Sequence, residues 1–194
     1  DTAAPEIRPT EDVDVITEIG SHREYHDLSA RLRGLGFHED ASEGAPVCRF
    51  RGNGIVLDVM PTDERVLGFS NRWYKDALDH TFTYELPSGR AIRLVSAPYI
   101  LATKLEAFHG RSGGDLWSPD MEDIVALVDG RRELFEEVTS SRPELRAYLA
   151  ATISDLLGNH DFEDALPGHL PGDPASQARV SIVMERLRQI AACH

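Results

Sequence analysis

The sequence predicts an α+β protein: a mixed or largely antiparallel sheet flanked by helices, followed by a helical C-terminal region. Three observations carry this. The run DVDVI (12–16) precedes a stretch of helical periodicity, Asn53-Gly54 separates two strand-forming runs, and from Pro98 onward apolar residues recur at helical spacing. The change of period divides an α/β core, residues 1–96, from a helical region, residues 97–194.

Taken in order, DVDVI begins a strand. SHREYHDLSARLRGLGF then places Tyr25, Leu28, Leu32 and Leu35 on one helical face, with Ser21 as N-cap and Gly34 and Gly36 near the end. VCRFRGNGIVLDVMP follows, and Asn53-Gly54 is the preferred pair for a two-residue hairpin turn. With those two residues as the loop, position 52 faces 55, 51 faces 56, Phe50 faces Leu57 and Arg49 faces Asp58. Residues 62–79 show no clear pattern. HTFTYELPSGRAIRLVS reads as a second pair of strands about Pro87-Ser88-Gly89. In APYILATKLEAFHG, Leu101, Leu105 and Phe108 mark a buried face, and Lys104 lies about 60° from Leu101, at the border of that face. GRSGGD (110–115) reads as a flexible helix–helix connection. It follows a helix and lacks the phosphate-loop pattern GxxxxGK[ST]. SPDMEDIVALVDG opens a helix with Ser118 as cap and Pro119 in its first turn. RRELFEEV, RPELRAYLAATISDLL and DPASQARVSIVMERLRQIAA read as further helices, with the turn-rich PGHLPGDP before the last.

Composition narrows the function classes. The chain has 194 residues, 41% of them hydrophobic, enough for a sizeable core. No stretch approaches the roughly 18 apolar residues of a membrane span, and DTAAPEIRPT has no basic-then-apolar signal architecture. Cys48 and Cys193 provide no disulfide framework, so the expected setting is a reducing cytoplasm. A formal charge of −13 argues against broad non-specific DNA or RNA binding. A nucleotide site on such a chain calls for divalent cations to bring the phosphates in.

The carboxylates carry the chemistry. Residues two apart in a strand share a face, so Asp12 and Asp14 project together while Val13 and Val15 enter the opposite packing layer. Asp58 interrupts IVLDVMP on the face of Val56 and Met60. A carboxylate among apolar strand neighbours is costly unless it is paired or bound to metal. Two readings stand at this point. Asp12 and Asp14 fit a solvated strand edge, with Asp58 paired to Arg49 across the hairpin. The three aspartates equally fit a site for one or two divalent ions in phosphoryl chemistry.

RPTEDVDVI followed by a helix, with VLDV on a later strand, resembles the nucleotidyltransferase superfamily that includes DNA polymerase beta. Within it, LATKLEAFHGRSGGDLWSPDMEDIVALVDGR is similar to the AbiEii/AbiGii-type toxin branch and its bacterial relatives. The resemblance spans most of residues 8–131 and implies a nucleotidyltransferase-like sheet. It implies that Asp12, Asp14 and Asp58 are catalytic and hold Mg²⁺ or Mn²⁺, with Asp58 also activating the acceptor hydroxyl. Arg8 and Thr10 match the residues before the pair, which puts Thr10 near the nucleotide. Lys104 matches a helix lysine that contacts the phosphates of the incoming nucleotide, and Asp120 and Asp123 match the acidic pair of the following helix. Arg49 has no family role; its register beside Asp58 lets it hold that carboxylate or a phosphate.

The implied activity is transfer of an NMP from an NTP to a hydroxyl of RNA, protein or a small molecule, with an antitoxin as a possible partner. The family pattern also begins upstream with a Gly-Gly or Gly-Ser turn that cradles the triphosphate, and residues 1–7, DTAAPEI, contain no glycine. Either a longer natural chain supplies that turn, or the protein is an inactive nucleotidyltransferase-fold binding or interaction module. Smaller candidates are weaker. His22, His26 and Asp27 lack the H-E-x-x-H arrangement, Cys48 reads as a buried thiol, and Arg72-Trp73-Tyr74-Lys75 reads as an amphipathic helix before it reads as a base-stacking patch.

Overall fold

Asn53 and Gly54 both adopt positive φ, at 53° and 75°. Two consecutive left-handed residues make the turn whose twist matches that of the flanking strands. In the computed structural model, which describes residues 12–193, that turn joins β3 (Arg49–Gly52) to β4 (Ile55–Pro61). The register is the one the turn dictates: Gly52 opposite Ile55, Phe50 opposite Leu57 and Arg49 opposite Asp58. On the other side of β4, β1 (Asp12–Thr17) pairs in parallel, with Asp14 beside Asp58. The two-residue β2 (His38–Glu39) completes a mixed sheet in the order β1-β4-β3-β2.

Helix α1 (His22–Gly34) connects β1 to β2. Ser21 caps it by accepting the Glu24 N–H at 3.2 Å, while the Glu24 carboxylate reaches back to the Gly20 N–H at 2.9 Å. Tyr25 on α1 packs near Phe50, with ring centroids 6.4 Å apart, so α1 covers the sheet face opposite Asp58. Phe50, Val59 and Cys48 are buried there. Val13 and Val15 are not: they are 49% and 38% exposed. The expectation that both enter the packing layer is corrected: β1 is the outermost of the described strands, and its face at Val13 and Val15 is left partly open.

Residues 62–79 contain two short helices, α2 (Glu64–Leu67) and α3 (Tyr74–Asp79). Segments of four and six residues are too short to display a period, which is why the sequence shows none there. Trp73, just before α3, is buried at 5% exposure, so its ring is not a platform for an incoming base.

The described chain divides into two compact units, one up to Asp79 and one from His80. In the second, β5 (Thr81–Glu85) and β6 (Ala91–Val95) form a separate antiparallel hairpin. Helices follow: α4 (Ala97–His109), α5 (Pro119–Gly130), α6 (Leu134–Thr139), α7 (Pro143–Leu157), α8 (His160–Ala165), a 3-10 turn (Leu166–His169), α9 (Pro174–Gln177) and α10 (Val180–Ala191). Leu101, Leu105 and Phe108 of α4 are buried, matching the face read from their spacing; Val183, Met184, Leu187 and Ile190 of α10 are buried as well, and Val180 is half-buried. None of the described helices is long and apolar enough to cross a membrane.

DPASQARVSIVMERLRQIAA is not one helix. It splits at Ala178–Arg179, between α9 and α10, because both flanking residues are recruited by other segments. The Gln177 amide donates to the carbonyls of Pro167 and Pro171, both at 3.0 Å, tying down the turn-rich segment. Arg179 is buried and donates to the buried Asp129 carboxylate at 2.8 Å and to the Asp129 carbonyl at 3.1 Å. Arg186 adds a bond to the Val128 carbonyl at 2.8 Å. Two arginines of the tail therefore satisfy the last carbonyls of α5.

One glycine is fixed by a close approach. A Cβ on Gly52 would lie 2.2 Å from the Gly36 carbonyl oxygen and 2.7 Å from the Phe37 Cα, both backbone atoms that cannot swing aside. Gly52→Ala is expected to lower unfolding free energy by roughly 1–3 kcal/mol in urea titrations. Gly34→Ala, at a helical position with open space around it, should be neutral or stabilising by up to about 1 kcal/mol. Equal effects at the two positions would contradict this packing.

Candidate metal centre

A laterally paired row of residues points to one face of a sheet. Asp14 of β1, Asp58 of β4 and Arg49 of β3 are such a row, through the Asp14–Asp58 and Asp58–Arg49 pairings. Asp12 stands two residues before Asp14 and shares its face. One carboxylate oxygen from each of Asp12, Asp14 and Asp58 lies within 4.8 Å of the others, and no other group of three or more His, Cys, Asp and Glu ligands gathers in this way among the described residues. Burial is graded across the cluster: Asp58 is 7% exposed, Asp12 is intermediate and Asp14 is exposed. The site is closed on the β4 side and open to solvent on the β1 side.

Arg49 grips the closed side. Its Nε donates to Asp58 Oδ1 at 2.8 Å and its Nη2 to Asp58 Oδ2 at 2.6 Å, a two-pronged pair. The same Nη2 reaches Asp12 Oδ2 at 3.2 Å. Hydrogen bonding to Asp58, and the charges of Asp58 and Asp12, raise the guanidinium pKa further, so Arg49 is permanently cationic. Arg49 thus contacts two of the three carboxylates. The donors are all hard oxygens, the set that suits Mg²⁺, Mn²⁺ or Ca²⁺ rather than a thiolate- or imidazole-seeking metal.

Two neighbours feel this charge without joining the cluster. Burial, then the negative charge of Asp58, pushes the Cys48 thiol up to about 11, so it stays protonated at neutral pH and is no nucleophile. The Tyr25 hydroxyl is buried with no hydrogen-bond partner, and its pKa is raised first by burial and then by Cys48, Glu39 and Asp58. Arg51, two residues along β3 from Arg49, is committed elsewhere, with its Nε 2.5 Å from Asp40 Oδ2.

Thr10 and Arg8 lie outside the described residues. The other expected site residues gather in the second unit. Lys104 Nζ is 2.6 Å from Asp123 Oδ2. Asp120, 2% exposed, accepts from Arg111 Nε at 3.0 Å, from Arg111 Nη2 at 2.6 Å and from Ser112 Oγ at 2.8 Å. Lys104 thus pairs with Asp123 while its charge also acts on Asp120, which Arg111 and Ser112 bond from the connection between α4 and α5, expected from the sequence to be flexible. GRSGGD is instead anchored: the Gly114 N–H donates to the Phe108 carbonyl at 2.9 Å while Gly113 and Gly114 take positive φ. Arg111 and Ser112 carry no spacing signal of their own, because their partner lies on the next helix.

Burial alone would raise the Asp120 pKa, but the hydrogen bonds from Arg111 and Ser112, with the charges of Arg111 and Lys104, more than offset it and hold the carboxyl below its usual range. A carboxylate with a depressed folded-state pKa contributes stability above its unfolded value, about 3.9, and loses it as pH falls through the folded value. The stability difference between wild type and Asp120→Asn should therefore be full near about pH 6 and shrink below about pH 4. Urea midpoints measured across that range check this, and a pH-independent difference would contradict it. No protein-family model matches the chain and no curated protein matches it, so the case for a chemistry rests on this geometry.

Proposed function

We propose that the protein is a divalent-metal-dependent nucleotidyltransferase that moves an NMP from an NTP to an acceptor hydroxyl. The observation that carries this reading is the convergence of Asp12, Asp14 and Asp58, from two adjacent parallel strands, to within 4.8 Å of one another on one sheet face. In this reading Asp12, Asp14 and Asp58 hold Mg²⁺ or Mn²⁺, which supplies neutralisation of the phosphates and alignment of the reacting oxygens.

The chain's own residues divide the remaining work. In this reading Asp58 takes the proton of the acceptor hydroxyl, the role the family resemblance implies for it. The acceptor oxygen bonds to the α-phosphorus as the bond to the bridging oxygen breaks, and pyrophosphate leaves with that electron pair. Asp14, on the open side, keeps the cluster accessible to an incoming polyphosphate. Lys104 and Thr10 carry the phosphate and nucleotide contacts that the family resemblance implies, and Asp120 and Asp123 hold Lys104 and the Arg111 loop in place. The acceptor class is RNA, protein or a small molecule, and an antitoxin is the partner expected of the toxin branch.

The Arg49–Asp58 pair favours a second reading. A guanidinium bound two-pronged to the most buried acid is also what an inactive scaffold uses to neutralise a leftover carboxylate, and such a protein would serve as a binding module.

The two readings separate in one assay. Incubated with each labelled NTP, Mg²⁺ or Mn²⁺ and cell extract, the wild-type protein should label an RNA, protein or small molecule. Asp58→Asn should lower that labelling by at least about a hundredfold while retaining a cooperative thermal transition. Labelling unchanged by the substitution excludes the role given to Asp58. Absence of labelling with all four nucleotides favours the binding module.

A further inference from the structure

Arg49 contacts two acids of the triad, and it binds both oxygens of Asp58. A divalent ion held by all three carboxylates needs an oxygen of Asp58 at about 2.0–2.2 Å, on the side facing Asp12 and Asp14. Arg49 Nη2 occupies that side, bridging Asp58 Oδ2 at 2.6 Å and Asp12 Oδ2 at 3.2 Å. A guanidinium and a dication bound to the same two carboxylates repel each other at short range, in a site whose Asp58 edge is shielded from water. Resting on the reading of the triad as a divalent-ion site, we infer that Arg49 is an exchangeable counter-ion: it latches Asp58 in the metal-free protein, is displaced by the divalent ion, and then binds phosphate of the incoming ligand.

The chemistry of the fork supports the exchange. Carboxylate and phosphate present the same pair of oxygens to a guanidinium, so a side chain released from Asp58 recognises phosphate without a change of character. It is released beside the point where the phosphates must arrive, because Arg49 is the lateral neighbour of Asp58 in the sheet. With Arg49 latched, the buried Asp58 is paired, while Asp12 and Asp14 lie on the more exposed side of the cluster. The consequence is an order of binding: divalent ion first, polyphosphate second.

The test measures two affinities on the same variants of the full chain. Mn²⁺ binding is followed by loss of the free-ion electron paramagnetic resonance signal, and pyrophosphate binding by calorimetry with and without Mg²⁺. Arg49→Gln should bind Mn²⁺ at least tenfold more tightly than wild type and, in Mg²⁺, bind pyrophosphate at least tenfold more weakly. Wild type should bind pyrophosphate only when Mg²⁺ is present. Opposite movement of the two affinities is the signature, since loss of a merely structural arginine lowers both. A fall in both, or no change in either, overturns the exchange while leaving a metal site in place if wild type binds Mn²⁺. Absence of Mn²⁺ binding in wild type and Arg49→Gln alike overturns the metal reading itself. A measurement free of any substitution completes the test. In the wild type, Mg²⁺ titration should shift the Arg49 Nε–H resonance and speed its exchange with water, and a resonance unmoved at saturating Mg²⁺ overturns the displacement.

Discussion

A carboxylate in the middle of a sheet strand needs a counter-charge, and Asp58 has one because of where the chain turns. Left-handed Asn53 and Gly54 set the register of β3 and β4, and that register puts Arg49 opposite Asp58. A slip of one residue would send Arg49 to the Phe50 face and leave Asp58 buried beside a phenyl ring. The close approach of Gly52 to the Gly36 backbone opposes such a slip, because only a residue without Cβ fits there. The parallel pairing of β1 then brings Asp14 beside Asp58, with Asp12 on the same face. One tight turn, one register and one ion pair thus assemble the cluster.

Elsewhere the protein matches its buried acids with cations. Asp129 is enclosed with Arg179, and Arg186 bonds its carbonyl; the buried Asp120 is bonded by Ser112 and by Arg111, whose own side chain is exposed. Breaking one partner of a buried pair such as Asp129–Arg179 costs about 3–5 kcal/mol, so this contact holds α5 against the tail. The cluster on the sheet differs in its geometry: three carboxylates are drawn to one point from two adjacent strands, and Arg49 contacts two of them.

Much of the cluster was legible because its determinants are local. Two-residue alternation places Asp12 with Asp14, and an Asn-Gly turn fixes which residue faces Asp58. The helices of the second half were legible where a stripe was long enough, as in α4 and α10. What was not legible depends on contacts between residues far apart in the chain. Arg179 meets Asp129 fifty residues away, and that pairing coincides with the break between α9 and α10. Arg111 and Ser112 sit in a glycine-rich stretch that looks mobile until their partner on α5 is known. Val13 and Val15 looked like core, because alternation tells which face a side chain takes but not whether anything covers it.

The proposed function requires that Asp12, Asp14 and Asp58 share a divalent ion. Anomalous diffraction from crystals of the protein soaked in manganese chloride tests it most directly. A shared ion gives a single strong peak, or a close pair, with carboxylate oxygens of all three aspartates about 2.0–2.3 Å from manganese. Manganese bound only at other carboxylates, with Arg49 still seated on Asp58 and no density between the three aspartates, would contradict it.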